Sequence, residues 1–328
     1  MPVNPDSSYQ APWFLRNGHV QTIYPILFRP RPVIDYERER LDTEDGDFLD
    51  LDWARVGSKH LTIVCHGLEG CSIGIHALCM VEALNAGGHD ALVLNFRACA
   101  DAGRIPNRTK RFYHSGETGD LRAVIAHAGQ QYDTITLTGF SLGGNVILVY
   151  LGKHPETVHS SVKRAAVFSV PCDLASSSRR LASFANRLYM RRFLKSLATK
   201  LRAKEALLPG QFDLEGLDDI RTFQEFDDRY TAPIHGFDNA EHYWAECSST
   251  PYLKQIRIPT LLVNALDDPF LTKECFPYAE AAALRHVHLE TPGNGGHNGF
   301  ILLNQENRSW TEKRALQFLQ TDGTSGKC

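Results

Sequence analysis

The stretch Thr134–Lys153, TITLTGFSLGGNVILVYLGK, decides how the rest of the chain is read. Its opening residues, Thr134, Ile135, Thr136 and Thr138, are β-branched and suit a short buried strand. Past Gly144, the residues Val146, Ile147, Val149, Tyr150 and Leu151 recur at helix-compatible spacing. Ser141 lies between the two, inside Gly139-Phe140-Ser141-Leu142-Gly143. A Gly-x-Ser-x-Gly turn from strand to helix pushes one hydroxyl clear of the backbone. The serine is then strained, and residues two away on either side must lack side chains to avoid each other. The helix that follows aims its first amides at the place where a reacting carbonyl oxygen becomes negative. A plain Gly-rich turn with a surface serine would share the five letters. The flanking strand and helix distinguish the two cases.

The chain has 328 residues, of which 43% are hydrophobic and 22% charged, enough for a large core without covalent staples. A net charge of −3 argues against broad nucleic-acid binding. Arg179-Arg180 and Arg191-Arg192 sit in a helical pattern and read as a solvated face. The 8 cysteines form no Cys-x-x-Cys pair, and Cys65 and Cys79 lie in apolar runs. A reducing, cytoplasmic compartment is the expectation. No basic-then-apolar leader is seen at the N-terminus, and no integral membrane segment is expected, since no run reaches roughly 18 apolar residues.

Residues 1–36 are punctuated by Pro5, Pro12, Pro25, Pro30 and Pro32, which disfavours a long regular element. The spacing allows one short helix over 18–23. The arm, with Trp13, Phe14, Tyr24 and Phe28, is expected to pack over the core rather than touch a membrane. Residues 36–56 read as a hairpin around Asp45-Gly46. From residue 60 the elements alternate: strand 60–65, helix 75–86, strand 90–96, helix 118–131, the opening strand and helix, then strand 165–170. That order predicts an α/β class with a mostly parallel, doubly wound sheet. The alternation stops over 173–250, where only helical patterns appear, and resumes with strands at 259–266 and 286–290 and a helix over 309–320. The expected organisation is an N-terminal arm (1–36), a core (37–172 and 251–320), a helical cap insertion (173–250) and a frayed tail (321–328).

A serine hydroxyl needs a base, and an imidazole base needs a carboxylate to orient it. On this topology the partners follow in the order serine, acid, histidine. Past the cap the histidines are His286, His288 and His297. His286 and His288 share one face of a strand, and no third ligand stands nearby to make them a metal pair. His297 sits in the loop Gly293-Asn294-Gly295-Gly296-His297-Asn298-Gly299 after the last strand and is the candidate base. The acid is expected at the end of PTLLVNAL, in Asp267-Asp268-Pro269-Phe270. Asp268 is the first choice because the Asp-Pro turn follows it, and Asp267 is the alternative. Two backbone amides complete an oxyanion hole: Leu142, directly after the nucleophile, and Leu68 in His66-Gly67-Leu68-Glu69-Gly70. His66 itself reads as a loop brace.

Together, Gly-Phe-Ser-Leu-Gly-Gly, His-Gly-Leu-Glu-Gly, Asp-Asp-Pro-Phe and Gly-Gly-His resemble the α/β-hydrolase superfamily. More narrowly the chain is similar to the YheT-like hydrolases, related to the ABHD lipases and esterases. Further segments carry the resemblance: Arg16–Thr22, Asn95-Phe96-Arg97, Tyr113–Thr118, Phe226-Asp227-Asp228 and Thr231–Phe237. Such proteins usually read Gly-Cys-Ser-Gly after Asn-Phe-Arg, where this chain has Ala98-Cys99-Ala100-Asp101. They usually carry an apolar residue after the loop histidine, where this chain has Asn298. The resemblance implies an α/β-hydrolase fold and hydrolysis of short-chain or lipid-like acyl esters. Catalytic residues would be Ser141, Asp268 and His297, with no cofactor and no metal. The partner would be a small-molecule or lipid-like ester, not nucleic acid. Acyl transfer to an alcohol, or a non-catalytic binding role, are the alternatives.

Overall fold

Runs such as LTIVC and ALVLN have no polar face to offer water, and they become the interior of a sheet. The computed structural model describes residues 3–4, 7–103, 105–303 and 308–320. The expected frayed tail over 321–328 lies outside them. Among the described residues nine strands are formed: β1 (Val3–Asn4), β2 (Glu37–Asp42), β3 (Phe48–Ala54), β4 (His60–Cys65), β5 (Asp90–Asn95), β6 (Thr134–Phe140), β7 (Val162–Phe168), β8 (Thr260–Val263) and β9 (Val287–Glu290). They lie in the order β1-β9-β8-β7-β6-β4-β5-β3-β2. β3 runs antiparallel to β5 and to β2, and the remaining pairs are parallel.

Successive side chains alternate across the sheet. In β4, Leu61, Ile63 and Cys65 join one apolar cluster and Val64 joins the other. The helices of eight residues or more are α1 (Gly18–Phe28), α2 (Ile75–Ala86), α3 (Thr118–Ala128), α4 (Leu142–Lys153), α5 (Leu174–Leu181), α6 (Arg187–Leu207), α7 (Ala240–Cys247) and α8 (Trp310–Leu319). Of these, α3 and α4 join the first cluster, and α2 and α8 join the second. α4 is buried from Leu142 to Gly152, which accounts for its nearly unbroken apolar composition. Between β7 and β8 the described residues form helices and turns and no strand. These carry their own apolar cluster, with Leu181, Met190, Leu194, Leu201, Phe226 and Tyr230.

The edge hairpin shows why β2 and β3 alternate in charge. Arg38 lies opposite Asp52 and Arg40 opposite Asp50. Both pairs close as two-pronged ion pairs, with shortest contacts of 2.7 and 2.8 Å. The buried Arg97 guanidinium then ties the hairpin turn to α3. It reaches Asp120 at 2.7 Å, Asp45 at 2.8 Å and Asp47 at 3.1 Å.

The N-terminal arm differs from the sequence expectation in two ways. α1 runs for 11 residues and passes through Pro25. Its first turn is capped by the Asn17 side chain, which accepts from the His19 and Val20 amides. The arm is held by Tyr9, Ala11, Leu15 and Gln21, which are buried, while Trp13, Phe14 and Phe28 point outward. The aromatic residues therefore do not pack on the core as a group. The anchors of the turn are Leu15 and the polar Gln21, whose Nε2 donates to the Leu15 carbonyl at 2.8 Å and whose Oε1 accepts from the Ile301 amide at 3.0 Å.

Candidate active site

Ser141 follows β6 directly and starts α4, with φ 52° and ψ −119°. That backbone region is costly for any residue with a β-carbon, and here a hydrogen bond on each side holds it. The Ser141 amide donates to the Phe168 carbonyl at 2.9 Å, and the Ser141 carbonyl accepts from the Asn145 amide at 3.0 Å. The flanking glycines have a steric reason. A β-carbon on Gly139 would come within 2.8 Å of the Gly143 backbone, and one on Gly143 within 2.4 Å of the Cys65 and His66 carbonyls. The elbow thus closes only if both positions are bare.

His297 lies in the loop after β9. Its amide donates to Thr22 Oγ1 at 2.9 Å, and its ring packs 4.3 Å from that of Phe270. The His297 Nδ1–H donates to Asp268 Oδ2 at 2.8 Å. The other Asp268 oxygen accepts from the Phe270 amide at 2.9 Å, so this buried carboxylate is fixed at both ends. Asp267 turns elsewhere. It accepts from the Gly296 amide at 2.8 Å and from Asn294 Nδ2 at 3.3 Å, bracing the histidine loop. Burial raises the Asp267 pKa above the usual carboxylate value. β8 ends at Val263, so both aspartates lie in the loop beyond the strand rather than at its last residue.

α1 contributes to this arrangement from the far end of the chain. A β-carbon on Gly18 would meet the Asp267 carbonyl at 2.0 Å, and one on Gly296 would meet the Gly18 carbonyl at 2.3 Å. The helix start is thus pressed between the acid loop and the histidine loop. The Asn17-Gly18-His19-Val20-Gln21-Thr22 segment is explained by that contact: cap, close approach, and two side chains that hold the loop. Nothing in its local pattern signals this role.

Leu68 and Leu142 border the same cavity as Ser141 and His297. The cavity measures about 450 Å³. Its far walls come from the segment between β7 and β8, through Leu181, Phe193, Leu197, Phe223 and Phe226. The loop carrying Leu68 is a tight turn in which the Gly70 amide donates to the Gly67 carbonyl at 3.0 Å. His66 braces it: its Nδ1–H donates to the Gly67 carbonyl at 2.8 Å and its Nε2 accepts from the Phe96 amide at 3.2 Å. Burial pulls the His66 pKa down to about 4, which keeps the ring neutral in that role. Glu69, at φ 57°, is held by helix α6, where Lys200 Nζ reaches Glu69 Oε1 at 2.8 Å and Ser196 Oγ donates to Oε2. Tyr113 OH donates to Glu69 Oε1 at 2.8 Å as well. Sequence reading missed this clasp because its partners are 131 residues apart.

A second cluster was also not legible. His114, Glu117 and His235 bring possible ligand atoms within 4.8 Å of one another. The Gly116 amide donates to His114 Nδ1 at 3.2 Å, which leaves the neutral ring's proton on Nε2, the atom nearer Glu117. Arg111 engages the same Glu117 carboxylate at 2.5 Å. Burial lowers the His114 pKa to about 3. A protonated Nε2 and a carboxylate already shared with arginine make a poor cation cradle. The cluster is a brace between the Tyr113–Thr118 and Thr231–Phe237 segments. His286 and His288 gain no third ligand among the described residues.

Comparison with known proteins places the chain in a family. The family model described as alpha/beta hydrolase fold matches residues 62–302. YheT of Escherichia coli (strain K12), named as an esterase, is 35% identical over 316 residues, covering 93% of this chain and 91% of the relative. The human protein named Phospholipase ABHD3 is 28% identical over 312 residues, covering 92% of this chain and 75% of the relative. Among solved structures, an esterase from Pyrococcus furiosus superposes with a TM-score of 0.59 at 19% identity, covering 89% of this chain and 95% of that one. At that identity the likeness concerns the fold alone.

Proposed function

This chain belongs to the α/β-hydrolase fold family, and on that basis we propose that it is a serine hydrolase of carboxylic esters. Ser141 Oγ attacks the ester carbonyl. His297 Nε2 takes the hydroxyl proton while its Nδ1–H stays bonded to Asp268, which steadies the imidazolium that forms. The Leu68 and Leu142 amides receive the oxyanion. Collapse of the tetrahedral intermediate breaks the ester C–O bond, and His297 hands its proton to the departing alcohol. Water, deprotonated by His297, then clears the acyl-serine.

The observation that carries this reading is the 2.8 Å contact between His297 Nδ1 and Asp268, with Ser141 and His297 bordering one cavity. The wall residues are largely aliphatic and aromatic, which favours an acyl chain as the part of the substrate held there. The esterase and phospholipase names of the relatives point to the same bond class. The helical segment over 173–250 supplies the far walls and, in this reading, acts as the cap that selects the acyl group.

The test is turnover of chromogenic acyl esters of increasing chain length by the wild-type chain and by Ser141→Ala. The variant is expected to lose about 10³-fold or more in kcat with its fold intact. A fluorophosphonate probe is expected to label the wild type at Ser141 only. Wild-type turnover by the variant, or labelling at another serine, would overturn the assignment.

A further inference from the structure

The chain carries its charge unevenly. Residues 7–34 hold Arg16, Arg29 and Arg31 and no acidic residue. Residues 174–204 hold Arg179, Arg180, Arg187, Arg191, Arg192, Arg202, Lys195, Lys200 and Lys204, again with no acidic residue. The whole chain is nonetheless net −3. Some of these cations are paired internally, such as Arg29 with Glu312 and Lys200 with Glu69. Arg16, Arg31, Arg187, Arg191, Arg192 and Lys195 are exposed and meet no carboxylate among the described residues.

The same two segments hold most of the exposed apolar surface. Of fifteen exposed large apolar side chains among the described residues, seven come from residues 13–33 and two more are Phe184, in the short turn just before α6, and Leu188, in the first turn of α6. Trp13 is 80% exposed, Phe184 78% and Leu188 73%. Along α1, Val20, Ile23 and Leu27 fall on one side of the helix and face solvent, while Thr22 and Ile26 face the cavity. The short helical turn Trp13–Leu15 buries only Leu15, so Trp13 and Phe14 are held outward by a fixed anchor. The two segments adjoin where His19 stacks on Tyr189 at 5.9 Å and its Nδ1 meets the Tyr189 hydroxyl at 3.2 Å. Tyr189, Ile26, Arg31 and Arg192 all border the cavity that contains Ser141.

We propose that this rim, built from the N-terminal arm, α1 and the exposed face of α6, docks on an anionic lipid bilayer with the cavity mouth at the membrane surface. Exposed tryptophan and phenylalanine beside unpaired arginines are the chemistry of an interfacial membrane contact. The cations draw the face to acidic headgroups, and the apolar side chains enter the boundary between headgroup and acyl chain. A second copy of the chain is the wrong partner for this face. A two-fold interface would set its six unpaired cations against the same six. Among the described residues no helix is long and apolar enough to cross a membrane, so the contact is peripheral.

The chain carries its own reporter, because Trp53, Trp244 and Trp310 are buried and Trp13 is exposed. The experiment is co-sedimentation of the full chain with vesicles of phosphatidylcholine alone and of equimolar phosphatidylcholine and phosphatidylglycerol, with tryptophan emission recorded in parallel. Binding and a blue shift are expected only with the mixed vesicles, and added salt should weaken both. Arg187→Glu with Arg191→Glu should weaken binding about a hundredfold. Trp13→Ser with Phe14→Ser should abolish the blue shift. Both double variants should turn over a soluble short-chain ester at the wild-type rate, which reports the fold and leaves the hydrolase reading untouched. Absence of binding to mixed vesicles at low salt, or equal binding to both vesicle types, would overturn the proposal. So would a concentration-dependent dimer that Trp13→Ser with Phe14→Ser dissolves. The wild-type salt titration decides the matter even where a variant fails to fold.

Discussion

Adjacent aspartates with opposite duties show how much one residue's direction matters. Asp268 offers one oxygen to His297 and the other to the Phe270 amide, while Asp267 faces the backbone of the histidine loop. In the proposed mechanism, Asp268→Asn should lower kcat by about 10²- to 10⁴-fold, because an amide that donates to Nδ1 enforces the wrong imidazole tautomer. Asp267→Asn retains an acceptor for the Gly296 amide and should leave kcat within about tenfold of wild type. Steady-state kinetics of both variants on one ester checks the pair, and equal losses would contradict the division of roles. Two departures from the family pattern find their reasons at this scale. Asn298 follows the histidine at φ 60°, a left-handed conformation that asparagine tolerates better than branched apolar residues do. Ala98 stands where the family usually has glycine, at φ 58°, and its amide is held by the Asn107 side chain. The glycine-type backbone is kept there without the glycine.

Helix α6 does two jobs from one face. That face gives Phe193 and Leu197 to the cavity wall, and from it Lys200 reaches down to Glu69, the residue after the proposed oxyanion donor Leu68. The position of α6 and the shape of the loop are therefore linked through a buried ion pair and the Ser196 hydrogen bond. Lys200→Met would strand the Glu69 carboxylate, and breaking such a pair costs about 3–5 kcal/mol. The expected result is a lower melting temperature with kcat reduced more than KM is raised, since the loop acts on the developing oxyanion. Adding Glu69→Gln to Lys200→Met should recover most of the lost stability by removing the orphaned charge. Thermal melts and kinetics of the single and double variants check this. A single variant with unchanged melting temperature and kcat would show the helix and loop to be independent. α1 is linked to the site in a comparable way, through Thr22 and the close approach of Gly18 to Asp267.

At the scale of the molecule, stability should carry a signature of Asp227, a carboxylate in the cavity wall. Thr231 and Trp244 donate to it at 2.6 and 2.9 Å, but burial raises its pKa from an ordinary 3.8 to about 7. The folded chain then keeps a proton that the unfolded chain releases, so the contribution of this group to stability falls as pH rises between about 4 and 7. Asp227→Asn removes that dependence and should melt higher than wild type at pH 8, with the gap closing toward pH 4. Melting curves across that range check the sign, and a variant that gains nothing at alkaline pH would refute it. Much of the architecture was legible beforehand. Strands such as His60–Cys65 and helices such as Ile75–Ala86 announce themselves because burial on both faces, or on one stripe, dictates residue choice along the local chain. α1 was underread because Pro25 signals a break, yet an 11-residue helix carries it, with Asn17 as cap and the acid and histidine loops as its packing surface. The arm's aromatic residues were misplaced because hydrophobicity alone does not say which way a side chain points. By itself the sequence determined the parallel sheet and the strained turn at Ser141, since these rest on local periodicity and glycine sterics. Only the tertiary structure decided that Asp268 rather than Asp267 reaches His297, that Lys200 clasps Glu69, and that Trp13 and Phe14 face outward. Those facts depend on contacts between residues far apart in the chain, and no local pattern encodes a partner that folding alone brings near.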